Sequence, residues 1–134
     1  MQNKVEIIFQ KNEKGTQSSV PFSSMKEKIL GSKYELSVAF VSPAKMKKIN
    51  TEYRGKDYVA NILSFPYTKT SGEIFLCLSK ISKESKDFDM TKLDFLKYLV
   101  IHGMLHLKGY DHGSTMDKME EKLQKYFKIK TSKK

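Results

Sequence analysis

All three histidines of this chain fall in one short segment, His102-Gly-Met-Leu-His106-Leu-Lys-Gly-Tyr-Asp-His112. That segment requires a helix ending in a tight reversal. Residues four apart share a helix face, so His102 and His106 present their imidazoles to one point from neighbouring turns. Gly109 follows three residues later, where a helix commonly ends in a left-handed residue, and reversal there returns His112 as a third nitrogen ligand. Three protein ligands leave a position open for water, which is the catalytic arrangement; structural zinc is usually enclosed by four. Core packing accounts for a lone histidine on an apolar face, but not for confinement of all three to this spacing.

The segment is also informative for what it lacks. Zinc proteases of the H-E-x-x-H type carry a general-base glutamate directly after the first histidine, and the variety that continues to a third histidine through a glycine has the spacing seen here. Gly103 occupies the glutamate position. The ligand pattern is protease-like without the protease base, which points to a different substrate or to help from elsewhere in the chain.

At 134 residues the chain is long enough for one domain with a real core, and the expected organisation is a single domain over 1–134. A hydrophobic fraction of 39% excludes a disordered chain, and no apolar run reaches the length of a membrane span. The N-terminus alternates into a strand without the long apolar centre of a secretion signal, so the expected location is the cytoplasm, with no membrane partner. Cys77, the single cysteine, excludes an internal disulfide framework and reads as an inert buried strand residue. The net charge of +10 calls for a polyanionic partner, with nucleic acid the usual one. Of the 25 basic residues only Arg54 is arginine, and the basic end from Lys128 to Lys134 reads as a mobile tail.

Strands are expected at Val5 to Phe9, Tyr34 to Val41, Ala60 to Phe65 and Ile74 to Leu78, with a polar loop running through Ser19. Pro66 and the Thr70-Ser-Gly72 turn separate the last two strands. Helices are expected from Phe22 to Leu30, closed by Gly31, and from Ser42-Pro43 with Met46, Ile49 and Tyr53 on its apolar face. Lys80 to Phe88 reads as a polar helix or ordered loop. The central helix starts near Thr91, buries Phe95, Leu96, Leu99, Val100 and Leu105, and ends near Lys108. A last helix opens at Ser114-Thr-Met-Asp117, which resembles a capping box. The fold class is α+β, a single layer of mixed sheet packed with helices.

With these residues laid out, His102-Gly-x-Leu-His-Leu-x-Gly-Tyr-Asp-His112 resembles the signature of the YbeY family, bacterial metal-dependent endoribonucleases of ribosomal RNA maturation. The resemblance extends to Asn50-x-x-Tyr-Arg54, Asn61-Ile-Leu-Ser-Phe-Pro66, Gly72-Glu-Ile74, and Met116 and Glu120. It departs at Ala60-Asn61, where the family usually has Thr-Asp, and at Glu73, where aspartate is usual. The resemblance implies a mostly parallel sheet of about four strands with a zincin-like metal-dependent hydrolase architecture. It also implies a single-strand-specific endoribonuclease of 16S rRNA 3′-end maturation and ribosome quality control, with rRNA precursor and small-subunit components as partners.

On this reading His102, His106 and His112 hold one Zn2+ per chain, although three imidazoles also suit other transition metals. Arg54 offers a planar fork to two phosphate oxygens, or else makes a structural ion pair. Asp111 orients a ligand imidazole or caps the turn after Gly109. Glu73 is a candidate for positioning water, and Tyr110 and Phe65 either stack on RNA bases or pack in the core. The alternative function is a ribosome-assembly RNA-binding factor whose metal is structural; a metalloprotease ranks third for want of the base at Gly103.

Overall fold

The computed structural model describes residues 5–9 and 19–130. Its elements run β1 (Val5–Phe9), α1 (Phe22–Ile29), β2 (Glu35–Phe40), α2 (Pro43–Arg54), β3 (Ile62–Thr68), β4 (Ser71–Leu76), α3 (Leu78–Asp87), α4 (Lys92–Lys108) and α5 (Ser114–Tyr126). The class is α+β. The sheet is mixed, in the order β1-β2-β4-β3, with β2 parallel to both β1 and β4, and β3 antiparallel to β4 at one edge. The stretch expected as a loop falls largely at positions 10–18, outside the described residues, as does 131–134 of the basic tail. Within the tail's described part, Ile129 packs against the core and its N–H bonds the Gln124 carbonyl, so this part is not a free end. No described helix is long and apolar enough to cross a membrane.

Side-chain alternation divides the core in two. Leu36, Val38 and Phe40 of β2 and Ile74 and Leu76 of β4 face the larger cluster, which α1, α3, α4 and α5 complete. Leu63 of β3 faces the other side, where Met46 and Ile49 of α2 close a smaller cluster with Cys77. The Ser42 hydroxyl caps α2 by accepting from the Lys45 N–H at 3.2 Å, with Pro43 in the first turn where its missing N–H costs nothing.

Several boundaries differ from expectation for identifiable reasons. β3 runs through Pro66 to Thr68, and the turn that follows is Lys69-Thr70. Proline removes a ladder donor, which an edge strand tolerates, and the register shifts between Pro66 and Thr68. β4 ends at Leu76, so Cys77 is the buried N-cap of α3 rather than a strand residue. The capping box at Ser114 does not form: Gly113 is the N-cap, and the Asp117 N–H is taken by the Gly113 carbonyl at 2.9 Å. Tyr53 is 72% exposed, off the apolar face of α2.

α4 organises the molecule. Thr91 caps it, accepting from the Asp94 N–H at 3.1 Å. Beyond the expected apolar positions it buries Ile101, Gly103, Met104 and Leu107, because it lies between the sheet and the other helices of its face. At Gly103 the helix touches β3 directly. A Cβ there would stand 2.8 Å from both Ile62 Cδ1 and Ser64 Oγ, and the Ser64 hydroxyl already donates to the Gly103 carbonyl at 3.2 Å. Gly103→Ala is therefore expected to destabilise the protein by about 1 kcal/mol in urea denaturation, the overpacking outweighing alanine's better helix propensity. Unchanged or greater stability would show that β3 yields freely.

Candidate metal centre

The end of α4 sets the site. Gly109 takes φ 111°, a left-handed conformation that a side chain would strain, and its N–H and that of Tyr110 bond the carbonyls of His106 and Leu105, both at 3.0 Å. The chain turns back on itself there. His112 then returns to the helical pair, with ring centroids 5.2 Å from His102 and 4.8 Å from His106, while those two lie 4.6 Å apart. One ring nitrogen from each imidazole lies within 4.8 Å of the others.

The hydrogen bonds show which nitrogens point inward. His106 Nδ1 faces the Tyr110 carbonyl at 3.0 Å, and a carbonyl only accepts, so Nδ1 carries the proton and Nε2 keeps its lone pair. His102 Nδ1 donates likewise to Glu120 Oε2 at 2.5 Å. The two Nε2 atoms stand 3.1 Å apart. Two lone pairs at this distance repel unless they share a cation, and nitrogens bound tetrahedrally at about 2.0–2.1 Å stand roughly 3.3 Å apart. The donor set therefore fits a transition-metal ion. Burial, with His102 beside it, lowers the His106 pKa below the ordinary histidine value and favours the neutral imidazole that a metal needs.

Glu120 is the residue whose role the sequence reading missed. It is 8% exposed on α5, and its carboxylate fixes the His102 ring. The signal was a charged side chain among Met116, Met119, Leu123 and Phe127 on the helix's apolar stripe. Glu120→Gln is expected to lower metal affinity about 10- to 100-fold, as loss of an outer partner typically does. Competition against a chromogenic chelator measures it; unchanged affinity would assign the ring's orientation to packing alone.

The three imidazoles open into a cleft of about 520 Å³ that Arg54, Asn61, Ser64 and Tyr98 also line. Arg54 Nη1 donates to Asn50 Oδ1 at 3.0 Å, and Asn50, fully buried, donates in turn to the Tyr58 carbonyl at 3.0 Å. Among the described residues no carboxylate pairs with Arg54, so the ion pair weighed for it does not form. Asn61, where the family usually has aspartate, donates to Glu84 Oε1 at 2.8 Å. Tyr98 sits one turn before His102, its pKa raised by burial and then by Glu120 and Asp117.

Other candidates lie elsewhere. Asp111 is exposed and makes no hydrogen bond or ion pair among the described residues, while Glu120 and the Tyr110 carbonyl orient the rings of His102 and His106. Glu73 points to the opposite side of the sheet, accepting from Tyr67 and Ser37, so it does not position water in the cleft. Phe65 shares that far side, packed edge-to-face with Tyr53 and Phe75. Tyr110 is half-buried against the main core.

Fold and site together define a class: α+β proteins with a three-histidine cluster able to hold one metal ion. A protein-family model described as Endoribonuclease YbeY matches residues 1–130, and the chain belongs to that family. Curated relatives named Endoribonuclease YbeY include one from Finegoldia magna, 37% identical over 93 residues, which are 64% of this chain and 61% of that one. Another, from Thermodesulfovibrio yellowstonii, is 39% identical over 101 residues, 66% of this chain and 64% of that one. The matched region thus spans a little under two thirds of these relatives' own length. The solution structure of a Thermotoga maritima protein is similar with a TM-score of 0.67 at 26% identity, covering 93% of this chain and 92% of that one.

Proposed function

We propose that this chain, as a single domain over 1–134, is a metal-dependent endoribonuclease that cleaves single-stranded RNA in ribosomal RNA processing. The observation that carries the reading is the convergence of three imidazole nitrogens on a cleft that also holds Arg54, the only arginine. Family membership supports it. In its finer form the metal is Zn2+, the architecture zincin-like, the substrate the 3′ end of 16S rRNA, the wider role ribosome quality control, and the setting the cytoplasm with small-subunit components.

His102, His106 and His112 would hold the ion, which supplies Lewis acidity for phosphodiester hydrolysis. Glu120 and the Tyr110 carbonyl hold two of the rings in the tautomer that leaves Nε2 free. Arg54, steered by Asn50, would fork onto the phosphate and stabilise charge gathering there in the transition state. Asp111, beside His112 in sequence, is the carboxylate left to orient that third imidazole once the ion is bound. Dispersed lysines would add affinity for the RNA backbone that falls with salt.

The test is cleavage of a ribosomal RNA precursor by highly purified protein, beside His106→Ala protein purified identically and wild type with a chelator. Defined products from the wild type alone are expected. Equal cleavage by the variant would mean a contaminating nuclease, and RNA binding with no cleavage in any arm would favour the assembly-factor reading.

A further inference from the structure

β3 separates two recesses. Ile62 and Ser64 face α4 and the imidazole cleft, whereas Leu63 and Phe65 face α2. On that second side lies a cavity of about 370 Å³ whose aromatic lining is Tyr53, Phe65, Tyr67 and Phe75, with Lys45 and Lys48 of α2 beside it. Phe65 stands 5.8 Å, centroid to centroid, from both Phe75 and Tyr53. Tyr53 and Tyr67 are respectively 72% and 62% exposed, so their rings are accessible to a ligand.

The Tyr67 ring is held in place. Its hydroxyl donates to Glu73 Oε1 at 2.6 Å, and Ser37 donates to the other carboxylate oxygen at 3.4 Å. The bond to Glu73, with burial adding to it, pushes the Tyr67 pKa up to about 12, so the phenol stays neutral. Glu73 is thereby occupied; Glu52, the other lining carboxylate, is exposed on α2.

We propose that this cavity is a nucleobase-stacking subsite for single-stranded RNA, with Tyr53 and Tyr67 receiving a base and Lys45 and Lys48 holding adjacent phosphates. The proposal rests on the reading that the imidazole cleft takes RNA. Its position is the main argument. Tyr53 directly precedes Arg54, and Phe65 directly follows Ser64, so the two recesses meet at the C-terminal end of α2 and across an edge strand. A strand leaving the cleft past Arg54 would round this edge to reach the tyrosines. Its chemistry agrees: aromatic faces bind bases of any sequence, and lysines track the backbone between them. The facing aromatic rings favour a base over an acidic protein segment, since the lining's two glutamates balance its two lysines and leave no net charge to select an anion.

The test uses the full metal-loaded chain and cleavage-resistant phosphorothioate oligoribonucleotides of about 12 nucleotides, within the usual single-strand site sizes, carrying 2-aminopurine. Wild type should quench the probe on binding. Tyr53→Ala and Tyr67→Ala should each weaken binding at least about fivefold and relieve the quenching, whereas Tyr53→Phe should keep both. Lys45→Ala and Lys48→Ala should each lower the salt dependence by about one phosphate contact. Alanine variants that bind and quench as wild type does would overturn the subsite, as would absence of RNA binding. Tyrosine-dependent binding without cleavage of ordinary RNA would overturn only the endonuclease reading.

Discussion

His106→Ala is expected to give a folded protein that has lost most of its bound metal, and RNA cleavage with it. The helix should survive, because its apolar neighbours Leu105 and Leu107 keep their places in the core and alanine is the best helix former. The centre should not. His102 and His112 alone leave two nitrogens, and removing a ligand exceeds the 10- to 100-fold loss typical of an outer partner, so affinity should fall by more than ~100-fold. Elemental analysis beside circular dichroism provides the check; a folded variant at full occupancy would place the metal elsewhere. Acidity should act through the same residue. Because burial lowers the His106 pKa, its imidazole stays neutral as the pH drops through ~6.5, and protons compete with metal there only in more acidic solution.

Arg54→Lys is expected to keep the fold and the metal yet reduce RNA cleavage roughly 100-fold, the scale set by loss of one transition-state hydrogen-bond donor. Lysine preserves the positive charge felt by bound RNA, so affinity should change little. It loses the planar fork, and it cannot reproduce the Nη1 bond to Asn50 that aims the side chain along the cleft. An interaction made mainly in the transition state appears in the rate rather than in binding. If single-turnover cleavage at saturating enzyme matched wild type, Arg54 would have no part in the chemistry.

The sequence made the helix under the first two histidines legible because three independent local signals agree there: the Thr91 cap, the apolar run and Gly109. The cluster of imidazoles was legible for the same reason, since two ligands follow from helical spacing and the third from a reversal only three residues long. What depended on distant partners was not. Glu120 reaches His102 only because α5 packs back along α4, and nothing local to either residue records that pairing. Glu73 and Phe65 were weighed for the cleft, but a period of two sends them to the other side of the sheet. The capping box failed at Ser114 because a one-residue difference in where the helix starts makes the expected cap an ordinary first-turn residue.

The contact between α4 and β3 at Gly103 also bears on how this site could change through evolution. A histidine pair of this spacing lacks only the residue after its first ligand to match the peptide-cleaving pattern, and a few nucleotide changes supply that residue. The packing around it resists the change. Even the first carbon of a side chain there would press on the Ile62 methyl and the Ser64 hydroxyl, so a glutamate requires those side chains to give way before it fits. Drift toward proteolysis thus meets a steric cost in the scaffold, and a lineage would have to change Ile62 or Ser64 along with the residue after the first histidine.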